Sequence, residues 1–155
     1  MKEISLNKEL TMDCPQGFYH MTEAEKRAMN TLGSGQWIGL NDPERHILVT
    51  AGWNRPGLLA KLFLNDRDLA KNMEKRIRKA MKDMDYRMEG FKERTVAGLP
   101  AGGFRYGYRA RNTDMTAESY VLKKGKTIYY FHVYLRSALK EESFPVWEEI
   151  LDSVR

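Results

Sequence analysis

The residues most suited to chemistry lie between positions 100 and 140, where basic and aromatic residues are interleaved. This segment holds eight basic residues and only two acids, Asp114 and Glu118. If the arginines share a sheet face with the aromatic residues, guanidinium groups lie beside rings, and such a surface suits phosphates, carboxylates or stacked bases. The predicted binding residues are Arg105, Arg109, Arg111, Tyr130, His132 and Tyr134.

The same arginines also have a purely structural interpretation, which we favour. Their aliphatic stems lie over hydrophobic surface, and their charged heads pair with the acidic last helix. Basic and acidic blocks that are this well balanced are expected to meet within the fold. The acids concerned are Glu141, Glu142, Glu148, Glu149 and Asp152.

Histidine and cysteine chemistry has no local signature. His20, His46 and His132 are far apart, and neither a His-x-x-x-His spacing nor a cysteine pair indicates zinc. Cys14 could act as a nucleophile only beside a base that the sequence does not identify, and it is interpreted as a small buried residue. We therefore predict no catalytic residue, no metal and no cofactor.

A sequence similar to the end of a P-loop occurs at Gly125-Lys126-Thr127. Two features contradict a phosphate site there. Tyr120 occupies the position of the first glycine, and Thr127 begins a predicted strand, so no helix N-terminus would meet the phosphate.

The elements that position these residues follow from hydrophobic periodicity and turn residues. We predict strands over 4–6, 10–13, 46–53, 86–96, 104–111, 118–124 and 126–136. We predict helices over 23–31, with a capping box at Thr22 and Glu25, and over 67–85, capped by Asn65 or Asp66, and a last helix capped by Ser143. Residues 98–103 are predicted to form a turn, and Gly125 the tip of a hairpin.

The long helix over 67–85 is amphipathic, with its apolar residues at three- and four-residue steps. Glu74 is expected to pair with Lys71 or Arg78 on the opposite face. That face is interpreted as solvated and comprises Lys71, Glu74, Lys75, Arg78, Lys79 and Lys82.

Length and composition predict one domain over residues 1–155. The chain is 42% hydrophobic and 30% charged, with a net charge of +5, which excludes a disordered chain and favours anionic partners only mildly. The predicted class is α+β: a largely antiparallel sheet of six or seven strands, packed by a long central helix, a short N-terminal helix and a C-terminal helix. A single cysteine and no apparent leader or membrane span predict a cytoplasmic location.

Several short motifs in this order resemble the PsbP/Mog-like fold family, including its small bacterial domains of unknown function. The likeness extends over residues 10–154. The motifs are Pro-Gln-Gly-Phe at 15–18, Val-Ala-Gly-Leu-Pro-Ala at 96–101 leading to Tyr106, the hairpin around Gly125, and Trp-Glu-Glu-Ile-Leu-Asp-Ser at 147–153.

The resemblance implies a mostly noncatalytic role in binding protein partners, which in the family include a Ran-type GTPase, photosystem subunits or hydrophobic segments of secreted effectors. The family offers no catalytic set to carry over. Unlike many bacterial relatives, this chain has neither an export signal nor a lipid-anchor cysteine near a leader, which argues against a cell-envelope role.

The favoured hypothesis is therefore a noncatalytic, cytoplasmic binding or chaperone-like domain that acts through protein contacts. One alternative is a small-molecule or nucleotide-processing enzyme that uses His132, Tyr134 and nearby arginines as acid, base and anion clamp. Another is a weak nucleic-acid binder that uses the basic strands.

Overall fold

A computed structural model describes residues 2–29, 36–56 and 63–155 of the chain. The strands are β1 (Lys2–Ser5), β2 (Thr11–Cys14), β3 (Tyr19–His20), β4 (Gln36–Asp42), β5 (Ile47–Asn54), β6 (Arg87–Val96), β7 (Leu99–Ala110), β8 (Thr113–Lys124) and β9 (Thr127–Arg136). The helices are α1 (Glu23–Ala28), α2 (Asp66–Ala80) and α3 (Lys140–Ser153), with a 3₁₀ turn at Ser137–Leu139 before α3.

Seven strands form one antiparallel sheet in the order β3-β4-β5-β9-β8-β7-β6, and β1 and β2 form a separate hairpin. Strands β6 to β9 follow one another as long hairpins, so most of the sheet comes from neighbouring segments of the chain. The α+β class and the antiparallel sheet predicted from the sequence are confirmed.

Each face of the sheet carries its own hydrophobic cluster, because successive side chains of a strand point to opposite sides. On one side Val133 of β9 packs in a cluster with Trp147 of α3 and Leu10 from the β1–β2 hairpin. On the other side Phe104 of β7 packs in a cluster with Met73 of α2. We call these sides the α3 face and the α2 face.

The start of α2 agrees with the prediction, and its end differs. The Asn65 side chain accepts a hydrogen bond from the backbone N–H of Asp68, which satisfies one free donor at the helix start. The helix ends at Ala80 rather than at 85, and a series of turns leads to Asp85, whose φ is +55°. This left-handed residue redirects the chain into β6.

The predicted turn over 98–103 is wrong. Only Ala97 and Gly98 form a turn, with φ values of +54° and +74°, and β7 begins at Leu99. Gly102 and Gly103 lie within the strand. A Cβ on Gly102 would lie 2.4 Å from the carbonyl oxygen of Asp66, so this glycine lets the start of α2 approach the sheet.

Two strands were not predicted, and β8, like β7, begins earlier than predicted. In β4 the apolar residues Trp37, Ile38 and Leu40 do not alternate strictly with polar ones, so the period-two signal is weak. The two-residue β3 is too short to show a pattern. Strand β8 begins at Thr113 rather than at 118.

Of the other two predicted helix caps, one is confirmed and one is wrong. The capping box of Thr22 and Glu25 is present, and residues 30–31 of that predicted helix lie outside the described residues. Ser143 does not cap α3, because the preceding 3₁₀ turn lets the helix begin at Lys140. Ser143 instead lies within the helix, where its side chain is buried, and Pro145 follows it within the same helix.

Candidate functional site

Strand register divides five of the six predicted binding residues between the two faces of the sheet, and Arg111 lies outside the strands. Arg105 of β7 lies opposite Glu118 of β8, and Glu118 lies opposite Val133 of β9. Because directly opposite residues of antiparallel strands point to the same side of the sheet, Arg105 points to the α3 face together with Val133. Tyr130, His132 and Tyr134 alternate with Val133 along β9 and point to the α2 face. Since Arg109 follows Arg105 at an even spacing in β7, it shares the α3 face. The expected surface of arginines beside these aromatic residues is therefore not formed.

Arg105 is held by a buried carboxylate on the α3 face. Its Nε donates a hydrogen bond to Glu118 Oε2 over 2.8 Å, and its guanidinium carbon lies 3.7 Å from the ring centre of Phe144. Glu118 is fully buried and also accepts from Lys92 Nζ at 3.0 Å and from Trp147 Nε1 at 3.1 Å. Because all these groups satisfy one another, the network stabilises the contact between α3 and the sheet.

Arg109 lies near the end of β7, and Arg111 lies in the turn between β7 and β8. Arg109 Nη1 lies 3.3 Å from Asp114 Oδ1, and its Nη2 donates to the Asn112 carbonyl oxygen over 3.2 Å. Arg111 is exposed in the turn itself, with a φ of +50°. Arg105 and Arg109 are thus paired with acids of β8. None of the three pairs with the acidic last helix within the described residues, contrary to the structural interpretation made from the sequence.

His132 lies in a polar position on the α2 face. Its Nδ1 is 2.7 Å from Ser119 Oγ, and its ring stacks on Tyr134 with 6.2 Å between ring centres. Burial, with a smaller effect from the nearby Arg76 charge, lowers the pKa of His132 to about 4. Burial also raises the pKa of Tyr134 to about 12. Both side chains are therefore neutral at pH 7, and an imidazole with so low a pKa is a weak general base.

Tyr130 lies under a cation from the neighbouring helix. The guanidinium carbon of Arg76 on α2 is 6.0 Å from the centre of the Tyr130 ring, within the range of a cation–π contact. Tyr130 is half-buried and Arg76 is exposed. The cation that accompanies the β9 aromatic residues thus comes from α2, and not from the arginines of β7.

The outer face of α2 differs from the solvated face predicted from the sequence, because Glu74 does not lie on it. Glu74 is 2% exposed and points inward, where it accepts hydrogen bonds from Arg78 Nε at 2.9 Å and from the Tyr86 hydroxyl at 2.7 Å. The predicted pairing of Glu74 with Arg78 is confirmed. Its burial leaves the outer face of this helix without an acid between positions 71 and 82. That face carries four exposed lysines, Lys71, Lys75, Lys79 and Lys82, which we call the lysine stripe.

The acids of α3 lie on the opposite side of the sheet from the lysine stripe. Glu148 and Asp152 both pair with Arg94 of β6, the latter at 2.5 Å. Glu141 and Glu149 are exposed and form no ion pair within the described part of the chain. The small net charge therefore conceals a basic α2 side and an acidic α3 side.

Cys14 and the histidines form no metal or nucleophile arrangement in residues 2–29, 36–56 and 63–155, which contain no group of three or more His, Cys, Asp or Glu side chains that could hold a metal ion. Cys14 is buried, and burial raises the pKa of its thiol. A raised pKa disfavours the nucleophilic thiolate.

One open groove of about 450 Å³ lies near the end of β5 and the loop after β1. Trp53 donates its indole N–H to Gln36 Oε1 at one wall, and Arg55 approaches Glu9 at 3.8 Å at another. None of the six predicted binding residues lines it. Across the described ranges, no helix is both long and apolar enough to cross a bilayer.

No protein-family model matches the sequence, and no curated protein matches it. Solved structures do match. The solution structure of cyanobacterial PsbP (CyanoP) from Synechocystis sp. PCC 6803 has a TM-score of 0.72 at 12% identity, and the match covers 99% of this chain and 91% of that one.

Two further structures of different described roles have the same fold. The Ran-binding protein Mog1p of Saccharomyces cerevisiae matches with a TM-score of 0.64 at 6% identity, over 99% of this chain and 94% of that one. LpqN, involved in cell envelope biogenesis of Mycobacterium tuberculosis, matches with a TM-score of 0.60 at 11% identity, over 94% of this chain and 81% of that one. At such low identity the matches establish the fold and leave the role open.

Proposed function

From its PsbP/Mog-like fold, we infer that this chain is a noncatalytic domain, over residues 1–155, that binds a protein partner. The observation that carries the inference is the likeness to Mog1p over nearly the whole of both chains, because Mog1p is described as a Ran-binding protein. A binding or chaperone-like role through protein contacts is the function that this fold and these residues support best.

The contacts and positions of the candidate residues support binding over catalysis. Arg105 is engaged by Glu118 on one face, and His132 is hydrogen-bonded to Ser119 on the other. An enzyme that used His132 as base and these arginines as an anion clamp would need them around one substrate. Their separation by the sheet gives the enzyme alternative no geometric support.

The expected compartment remains the cytoplasm of a bacterial cell. Cys14 is a free thiol in the core, and a fold held together without disulfides suits a reducing compartment. This location is part of the proposal, and measuring the distribution of the full-length protein between cell fractions tests it.

The experiment is affinity capture with the whole chain as bait, followed by reconstitution from purified components. We expect a captured protein that excess untagged chain displaces, and that forms a complex of defined stoichiometry in sedimentation velocity. The displacement step is the control, because proteins bound to the matrix alone are not released by it. If no purified protein forms a complex while a small-molecule turnover maps to one pocket, the proposal is wrong.

A further inference from the structure

The lysine stripe is unusual because its exposed charges are poorly balanced, although the charge of Lys75 contributes to the lowered pKa of the buried Glu74. Lys71, Lys75, Lys79 and Lys82 are all exposed, and none forms an ion pair with a described residue. The ion pairs made by α2 use Arg67 and Arg78 at its flanks instead. The one acid within this stretch, Glu74, is buried under the helix.

This arrangement is unfavourable for the isolated helix. Lys71, Lys75 and Lys79 follow one another at four-residue steps, so each is a neighbour of the next on the helix surface. Each like-charged pair at this spacing destabilises a helix slightly. A face that only had to be solvated could alternate lysine with glutamate and gain a similar amount.

The stripe is short and ends in acids on both sides. Lys71 to Lys79 spans about 12 Å of helix, and Lys82 follows the helix end. Asp66 and Asp68 lie in the first turn of α2, and Asp83 and Asp85 lie beyond Lys82. A long polyanion crossing the stripe would therefore meet acids at both ends, whereas a short acidic segment would not.

We propose that the lysine stripe of α2 is the docking surface for an acidic segment of a protein partner, a proposal that rests on the protein-binding function inferred above. The lysines are spaced by about 6 Å along the helix. The fitting partner presents carboxylates at a similar spacing, either on every second residue of an extended segment or on every fourth residue of a helix.

Nucleic acid fits this surface less well. Binding of single strands uses aromatic side chains on which bases stack. Two aromatic rings that contact this part of α2, Tyr130 beneath Arg76 and Tyr86 hydrogen-bonded to Glu74, are both half-buried. The acids at both ends of the stripe also repel a continuous phosphate backbone. Lysine without exposed stacking groups favours carboxylates as the ligand.

The test measures fluorescence anisotropy of a labelled glutamate-rich peptide of about ten residues, which as a helix spans the stripe. The wild-type chain is compared with the double variant Lys75→Glu/Lys79→Glu. The matched control is Lys126→Glu/Lys140→Glu, which changes the net charge equally at two exposed lysines outside α2. Circular dichroism checks folding, and Lys75→Gln/Lys79→Gln replaces the first variant if the reversed charges unfold the helix.

We expect saturable peptide binding that weakens with added salt, a loss of affinity of about tenfold or more in the stripe variant, and a change below about twofold in the control. Absence of binding to the wild type at low salt overturns the proposal. An equal loss in the control does so too, since it would reveal an effect of net charge alone.

Three parallel measurements test other ligands that the lysine stripe would bind instead of an acidic segment. Tighter binding of an oligothymidylate, or of vesicles containing phosphatidylserine, through the same lysines overturns the proposal in favour of nucleic acid or membrane. Self-association that the stripe variant abolishes overturns it in favour of a second copy, whose α3 side is acidic. If a reconstituted partner binds the wild type and the stripe variant equally, protein binding stands and only its location on α2 is wrong.

Discussion

Arg105 Nε donates to Glu118 Oε2 over 2.8 Å, and this contact gives a predicted binding residue a structural role as well. The carboxylate is fully buried, while the side chains of Arg105 and Lys92 remain 31% and 36% exposed. The pair thus brings one buried charge into contact with cations that still reach water. Trp147 of α3 donates to the other carboxylate oxygen, so the same acid also fixes the helix to the sheet.

Replacing Glu118 by glutamine is expected to lower the free energy of unfolding by about 2 kcal/mol. The amide cannot accept charge-assisted hydrogen bonds as strongly, and hydrogen bonds to charged groups contribute about 1.5 to 3 kcal/mol. Because the two cations are partly exposed, they become hydrated, and the loss stays below the roughly 3 to 5 kcal/mol typical of a fully buried pair. Urea unfolding followed by tryptophan fluorescence measures it.

The control for that variant is Glu149→Gln on the exposed side of α3. Glu149 makes no described ion pair, so its replacement should change stability by no more than about 0.5 kcal/mol. Equal stability of the two variants would mean that the Glu118 network contributes little.

Alanine at Gly102 and alanine at Gly107 should have different effects, although both glycines lie in β7. A Cβ at 102 would lie 2.4 Å from the backbone oxygen of Asp66, which cannot move without shifting α2. At 107 the nearest atoms belong to the flexible guanidinium of Arg87, at 3.2 Å or more. We expect Gly102→Ala to lose about 1 to 3 kcal/mol and Gly107→Ala to stay within about 1 kcal/mol of wild type.

Thermal unfolding of the two glycine variants, followed by far-UV circular dichroism, checks this difference. A Gly102→Ala protein as stable as Gly107→Ala would contradict the close approach of α2 to the sheet.

The sequence predicted which residues of one strand point to the same side, but not which residues of different strands share a face of the sheet. Alternation correctly placed Arg105 with Arg109, and Tyr130 with His132 and Tyr134. Whether the two sets share a face depends on how β7, β8 and β9 pair, and shifting one pairing by a single residue exchanges the faces of a strand. No residue pattern in either strand fixes that register, so the joint surface could not be tested by sequence.

The lysine stripe needed the structure for a similar reason. The helical spacing of Lys71, Lys75 and Lys79 was evident in the sequence, and so was Glu74 beside them. What the sequence did not settle was that Glu74 turns inward to Arg78 and Tyr86, which removes its charge from the outer face. Side-chain burial at the edge of an amphipathic helix depends on the neighbouring segments of the chain, here on Tyr86 just before β6.

The half-buried His132 should make the protein lose stability on mild acidification. Its pKa is lowered to about 4 in the folded state, against about 6.5 unfolded, so between these values the unfolded chain binds more protons. The free energy of unfolding therefore falls as the pH drops from about 6.5 to 4, by about 1 to 3 kcal/mol from this residue. His132→Asn, whose amide can still contact Ser119, should show a shallower fall over that window.

Urea unfolding of both proteins at several pH values between 4 and 7.5 measures the effect. Acids such as Glu74, whose pKa is lowered mainly by the hydrogen bond from Arg78, also contribute near the acidic end. They contribute equally in both proteins, so the difference between the two curves isolates His132. Parallel curves would show that the imidazole is protonated as readily in the folded state as in the unfolded one.

The single variant Lys75→Glu should stabilise the fold while it weakens peptide binding. It replaces two repulsive neighbours, with Lys71 and with Lys79, by two attractive ones, and each of these changes contributes about 0.2 to 0.5 kcal/mol. It also turns the attraction between Lys75 and the buried Glu74 into a repulsion, which reduces the gain. We expect the free energy of unfolding, measured with urea, to rise by roughly 0.5 to 1 kcal/mol, and added salt to reduce this gain because the pairs are exposed.

Lys126→Glu, in the turn between β8 and β9, serves as control and should leave both stability and binding nearly unchanged. If the lysines only kept the helix surface in contact with water, peptide binding would not fall when stability rises. Opposite changes in unfolding free energy and in peptide affinity therefore support a docking surface. A Lys75→Glu protein that is more stable and binds the acidic peptide as well as wild type would leave α2 as an ordinary solvated helix.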